Sequence, residues 1–399
     1  MINVTDKTKC TGCTACASVC PAGAITMDAD EEGFLYPQVN AEKCSGCGLC
    51  DHICPAQKSA VYAPQQARKA FLIKHTDDAI RADSTSGGFF TPMAEWTFQQ
   101  GGAVCAATFD NEFRVVHAFA ESGDDLHHFR GSKYVQSDLN GCFVRIRDML
   151  KAGRIITFVG TPCQVYGLKA FLGSEYDHLY TVDLVCHGVP SPRLWDVYLQ
   201  YQQRKYRSRV KDVAFRSKIH GYHSGSMRIR FSSGQEYIRG SKVDPMLRSF
   251  YGNLVSRPSC YACPFKELER CADFSIYDTW HASKLLPEIR KESSKGFTNV
   301  IAHTQRAAQI IRQLPGLCIF ETDVEKAVAL DGKMVRESAV PHSRRDTFYQ
   351  DLSVDTLASK VQAGVPVSVT SRLLYKARNI LYRLGILRLV RKFRKALKR

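Results

Sequence analysis

Apolar and polar positions change period along the chain, and the changes mark its elements. Near the start, Ala24-Ile25-Thr26-Met27 and Gly33-Phe34-Leu35-Tyr36-Pro37 read as short strands around an acidic turn, Asp28 to Glu32. Residues 56 to 68 are polar, carry Pro64 and predict a linker. Ala70 to Lys74 reads as a strand, and Thr85-Ser86-Gly87-Gly88 leads into an amphipathic helix through Phe98. Gly101 to Thr108 and Phe113 to Phe119 alternate as strands around Asp110-Asn111, and Leu139 to Lys151 has helical spacing. Two strand-to-helix passages follow. Arg154 to Val159 ends in Gly160-Thr161-Pro162-Cys163-Gln164 and a helix to Phe171. Tyr180 to Val185 ends in Cys186-His187-Gly188-Val189-Pro190 and a helix from Ser191 to about Gln203. Strands are expected near Val210 to Phe215, Met227 to Phe231 and Phe274 to Tyr277, with a helix near Pro245 to Phe250. This alternation predicts an α/β core with a mixed, partly parallel sheet.

The first 54 residues carry a different signature. Cys10, Cys13, Cys16 and Cys20 precede Pro21, and Cys44, Cys47, Cys50 and Cys54 precede Pro55. Each run reads C-x2-C-x2-C-x3-C-P, the spacing that holds a [4Fe–4S] cluster in bacterial ferredoxins, with the fourth cysteine serving the other cluster. Soft thiolates suit iron, and the short spacers let three sulfurs of one loop cap three corners of a cube. One cluster is therefore expected on Cys10, Cys13, Cys16 and Cys54, and another on Cys44, Cys47, Cys50 and Cys20. Zinc ribbons instead use pairs of C-x2-C, and disulfides need an oxidising compartment. Residues 1–60 are expected to form an α+β ferredoxin-like module.

A length of 399 residues allows two or three domains, and 44% hydrophobic with 24% charged residues is ordinary for a globular chain. No run of about 18 apolar residues suggests a spanning helix. The start, Met1-Ile2-Asn3-Val4-Thr5-Asp6, lacks the basic and apolar regions of a signal peptide, so a reducing cytoplasm is expected for the sixteen cysteines. The net charge of +16 is uneven. Residues 371 to 399 hold eleven Lys or Arg and no acid, leaving +5 for the rest (16 minus 11). Nucleic-acid binding by the body is not implied.

Eight cysteines remain: Cys105, Cys142, Cys163, Cys186, Cys260, Cys263, Cys271 and Cys318. Cys163 and Cys186 follow predicted strands, at the sheet edge where α/β proteins bind ligands. Cys260 and Cys263 form a C-x2-C before Pro264. Four such thiols could hold a third cluster, with Cys271 as a competing ligand. Cys105, Cys142 and Cys318 read as core thiols.

Thr85-Ser86-Gly87-Gly88, Gly131-Ser132-Lys133-Tyr134-Val135-Gln136-Ser137 and Gly160 to Gln164 come first in a longer series of motifs. Asp183 to Pro192 and Cys260-Tyr261-Ala262-Cys263-Pro264-Phe265-Lys266 complete it. In this order they resemble the beta subunit of the coenzyme F420 hydrogenases and dehydrogenases, a family that includes homologues fused to a ferredoxin module. The resemblance spans roughly residues 1 to 320. It implies a third [4Fe–4S] cluster on Cys163, Cys186, Cys260 and Cys263, beside an FAD. The FAD would use Thr85, Ser86, Gly87, Gly88, Lys133, Tyr134 and Gln136. On residues alone the Thr85–Gly88 turn is equally an N-cap, although free N–H groups at a helix start suit a pyrophosphate. Lys133 and His187 are the candidate catalytic groups. Asp278-Thr279-Trp280-His281 departs from the family's Asp-Phe-Trp-Gly-like turn, so the deazaflavin coenzyme is not carried over as substrate.

The expected domains are 1–60, a cofactor domain over 69–325 in two parts (69–150 and 154–325), and a basic helical extension over 340–399. In that extension Leu373, Ala377, Ile380, Leu381 and Leu384 share one helical face. Beyond Gly385, Ile386, Leu389, Val390, Phe393 and Leu397 share another. Basic opposite faces suit an anionic membrane surface. The expected function is a reductase taking electrons from a ferredoxin-like donor to an organic substrate, associated through the resemblance with surface-polysaccharide biosynthesis. The alternatives are an electron-transfer subunit serving a separate catalytic partner and an Fe–S protein without flavin.

Overall fold

The computed structural model describes residues 2–55 and 68–387. The expected linker and the second tail face lie almost wholly outside them. The N-terminal module pairs β1 (Ile25–Ala29) with β2 (Leu35–Val39) in antiparallel register. Short helices Ala15–Val19 and Leu49–His52 follow its two cysteine loops.

The remaining strands are β3 (Lys69–His75), β4 (Ala103–Phe109), β5 (Val115–Ala120), β6 (Ile156–Gly160), β7 (Leu179–Leu184), β8 (Val210–Ser217), β9 (Ser226–Phe231), β10 (Glu236–Gly240), β11 (Phe274–Asp278), β12 (Thr298–Ala302) and β13 (Leu317–Thr322). Eight of them form one mixed sheet in the order β13-β3-β12-β11-β7-β6-β4-β5. Its centre, β4-β6-β7-β11, is parallel, and antiparallel strands extend both ends. Every residue of β6 is buried, as suits a central parallel strand covered on both faces.

Alternate residues of the strands feed two cores. On one face Val104, Ala106, Val159, Val182 and Phe274 pack with Met93, Ala94 and Trp96 of helix Phe90–Gln99. On the other, Ala103, Cys105, Ile156 and Phe158 pack with helices Cys142–Lys151 and Pro162–Leu172. Ala15 and Cys13 of the ferredoxin module belong to this second core.

The chain divides into two compact units, residues 1–194 with 256–340, and 195–255 with 341–399. The ferredoxin module shares a core with the large sheet. In the second unit, β8, β9 and β10 form an antiparallel sheet. Buried Asp244 caps helix Pro245–Tyr251 through Leu247 N (2.8 Å) and accepts the Tyr198 and Tyr237 hydroxyls at 2.6 and 2.9 Å. Helix Leu357–Gly364 packs on that helix, and Arg248 donates to Gln362 (3.2 Å). Strands β10, β12 and β13 escaped the sequence reading. Cys318, expected in the core, is half-exposed on β13, an edge strand.

Candidate metal centres

The two cysteine loops have the same backbone: φ is 69° at Gly12 and 70° at Gly46, then 62° at Thr14 and 72° at Gly48. Cys10, Cys13, Cys16 and Cys54 line one cavity of about 440 Å³. Burial pushes the Cys13 and Cys16 thiols up to about 12, and both Cys10 and Cys54 are near enough to raise them further. This is the crossed set expected from the spacing. Four thiols crowded around one cavity do not readily all ionise together unless a cationic core lies among them. Backbone N–H groups point at the sulfurs, from Ala15 to Cys13 and from Ala17 to Cys16. In the other expected set, Ile2 N reaches Cys50 Sγ (3.4 Å) and Ala24 N reaches Cys20 Sγ (3.3 Å). Cys47 is exposed, and the Leu49 N–H helps lower its thiol.

Cys163, Cys186, Cys260 and Cys263 also converge. Burial raises each thiol. Cys263 and Cys186 raise Cys163 further, and Cys186, Cys163 and Cys263 raise Cys260. Cys163 sits in the first turn of helix Pro162–Leu172, where the helix dipole favours a thiolate. Thr161 N donates to Gln164 Oε1 (2.9 Å), fixing that turn. Gly188 and Val189 aim N–H groups at Cys186 and Cys260. Gly188 has φ 144°, and a Cβ there would meet Ser256 Oγ at 2.8 Å and Cys260 Cβ at 3.3 Å. Cations stand close by: Lys266 donates to the Cys186 and Met334 carbonyls, and Arg270 pairs with buried Asp183 at 3.1 Å. Cys271 lies instead beside Tyr166 in the core.

The carboxyl ends of β4, β6, β7 and β11 share one edge of the sheet, and the expected flavin residues lie along it. The Thr85 hydroxyl accepts from Ser132 N (2.8 Å), the Ser86 and Thr298 hydroxyls lie 2.7 Å apart, and Gly87 N donates to Thr298 (2.8 Å). Lys133 Nζ reaches the carbonyls of Phe129, Arg130 and Gly131 at 3.2–3.3 Å, and burial draws its ammonium down to about 7. Tyr134 follows it at partial exposure. Gln136 turns elsewhere, accepting from Arg257 Nη1 at 3.0 Å. Its neighbour Ser137 accepts from Gln164 Nε2 (2.9 Å), so the Gly131–Ser137 segment also buttresses the Cys163 turn. His187 is half-buried between Cys186 and Gly188. Sequence reasoning missed Arg257 and gave Lys266 no role beyond its place in the Cys260 motif, because nothing in a basic residue near a C-x2-C marks where its side chain goes.

A doubled cysteine module joined to a mixed sheet with further converging thiols defines an iron–sulfur protein of the electron-transfer type. Residues 9–58 match the 4Fe-4S dicluster domain, and residues 153–322 match the family described as the C terminus of the coenzyme F420 hydrogenase/dehydrogenase beta subunit. The chain is 24% identical over 317 residues to the coenzyme F420-dependent sulfite reductase of Methanocaldococcus jannaschii. That match covers 77% of this chain and 46% of the relative, so the chain spans about half the relative's length. A chain in the structure of the F420-reducing [NiFe] hydrogenase complex from Methanosarcina barkeri aligns with 77% of this chain and 92% of its own length, at a TM-score of 0.43 and 13% identity.

Proposed function

We propose that the chain relays electrons inward along three [4Fe–4S] clusters to an FAD-dependent reduction of an organic substrate. The outer site is Cys20, Cys44, Cys47 and Cys50, the inner site Cys10, Cys13, Cys16 and Cys54, and the third Cys163, Cys186, Cys260 and Cys263. One observation carries this order: Cys13 of the inner set packs on Gly167 of the helix that bears Cys163, and it adds to the upward push on the Cys163 thiol. Exposed Cys47 marks the entry end, where a ferredoxin-like donor would dock. The clusters would supply one-electron carriers, and the flavin the conversion to two-electron chemistry.

The chain's own residues do the rest. Peptide N–H groups stabilise the thiolates, and Lys266 and Arg270 offset negative charge at the third site. Lys133, at the carboxyl edge, can take or release a proton near neutral pH. The Thr85–Gly88 turn and Tyr134 would border the flavin, and His187 is the second candidate proton carrier. Turnover of the purified chain alone, with a viologen donor and candidate acceptors, tests the enzymatic part. Reduction of the clusters without turnover of any acceptor would make the chain an electron-transfer subunit for a separate catalytic partner.

A second surface supports a membrane contact. Helix Val369–Arg383 docks on the sheet of its own unit through Asn379 Nδ2, which donates to Ile238 O (2.8 Å), and through Tyr375, packed against Gly240. Val369, Leu373, Ile380 and Leu384 are left exposed, interleaved with Arg372, Lys376 and Arg383. An apolar stripe among cations suits an anionic lipid surface. No helix among the described residues is long and apolar enough to cross a membrane.

A further inference from the structure

Arg257 is fully buried, and among the described residues no carboxylate pairs with it. Its guanidinium instead donates to the carbonyls of Cys10 (2.8 Å) and Leu35 (3.0 Å), to Gln136 Oε1 (3.0 Å) and to Cys10 Sγ (3.6 Å). It also lies over the Tyr36 ring, 4.0 Å from the centroid. A buried cation without a counter-ion is costly unless an anion is near. The group within reach that would carry negative charge as a cluster ligand is the Cys10 sulfur. The backbone of Arg257 meanwhile belongs to the third site: its N–H bonds Val189 O (3.0 Å), and its carbonyl accepts from Cys260 N (2.9 Å). No comparable cation is bonded to Cys20, Cys44, Cys47 or Cys50 among the described residues.

We propose that Arg257 raises the reduction potential of the inner cluster above that of the outer one, so that a reducing equivalent entering at Cys47 settles beside the third site. The inference rests on the cluster assignment above. The transfer is a single electron: the outer cluster is oxidised, the inner one is reduced, and no proton moves. A positive charge and a hydrogen bond to a ligand sulfur both favour the reduced, more negative cluster. Arg257 is thus a positioning residue for the electron and takes no part in chemistry on a substrate.

The test is an anaerobic dithionite titration followed by electron paramagnetic resonance. In Arg257→Gln the inner signal should become at least tenfold harder to reduce, about 59 mV for a one-electron couple. The outer signal should stay where it is. Arg257→Lys should recover part of the shift. An unmoved inner signal in a variant with full iron content overturns the proposal, and so does an equal shift of both signals. A second measurement works even if the Arg257 variants fail to fold. In otherwise wild-type protein, Cys47→Ser, at an exposed site, should perturb the lower-potential of the two ferredoxin signals. Perturbation of the higher one contradicts the proposal. Wild-type protein lacking both ferredoxin signals would instead overturn the cluster assignment itself.

Discussion

Gly167 lies so close to Cys13 that a Cβ on it would stand 2.8 Å from the Cys13 Cβ and 3.0 Å from its sulfur. The glycine sits mid-helix, where it costs up to about 1 kcal/mol relative to alanine. The return is contact between the inner cysteine set and the helix that starts at Cys163. That contact adds to the shared core around Ala15 and to the Arg257 bonds to Cys10 and Leu35.

Gly167→Val should therefore separate the two sites. Overpacking of this kind destabilises by about 1–3 kcal/mol, read as a lower urea midpoint. Stopped-flow reduction should still fill the ferredoxin sites but reach the third site at least tenfold more slowly. An unchanged rate would mean that electrons do not cross at this helix.

Gly188→Ala should damage the third site selectively. Its φ of 144° disfavours any side chain, and the new methyl would press on Ser256 and Cys260. The expected result is loss of about four irons with the ferredoxin signals intact. Full iron retention would contradict the placement of Cys186 and Cys260 around one cluster.

Two buried histidines set an acid limit on stability. Burial lowers His117 to about 4 and His303 to about 3, from an ordinary 6.5. His303 Nε2 lies 2.8 Å from Ser275 Oγ. Below pH 6.5 the unfolded chain binds protons that the folded chain refuses, so stability is full above that pH and falls as pH drops towards 4. His303→Gln should flatten the fall in urea midpoint between pH 6.5 and 4. Identical pH profiles for variant and parent would exclude this histidine as a cause.

The exposed stripe on helix Val369–Arg383 makes a prediction that does not depend on the redox sites. Leu373→Ser with Ile380→Ser should leave the fold intact, since both side chains are more than half exposed. Co-sedimentation with phosphatidylglycerol vesicles should drop several-fold. Equal pelleting of variant and parent would remove the membrane contact.

The sequence was most legible where covalent spacing does the work. The doubled C-x2-C-x2-C-x3-C-P run groups Cys10, Cys13, Cys16 and Cys54 as one expected ligand set, and these four thiols line one cavity. Strands β4, β6 and β7 were found because their apolar runs end in turn residues. β12 was missed although all five of its residues, Thr298 to Ala302, are buried. Thr298 and Asn299 broke the apolar run, and only pairing with β11 and β3 makes it a strand. The convergence of Cys163 and Cys186 with Cys260 and Cys263 joins segments about 75 to 100 residues apart, which no local period reports. The same holds for Arg257, whose side chain crosses to a module 247 residues earlier.

Iron content tests the central claim most directly. Chain purified without oxygen should carry about twelve irons and matching acid-labile sulfide, with one flavin. The double variant Cys163→Ser, Cys260→Ser should fall to about eight irons, with both ferredoxin signals unchanged. About eight irons in the parent chain, no flavin, and no change on mutating Cys163 and Cys260 would contradict a third cluster and the relay built on it.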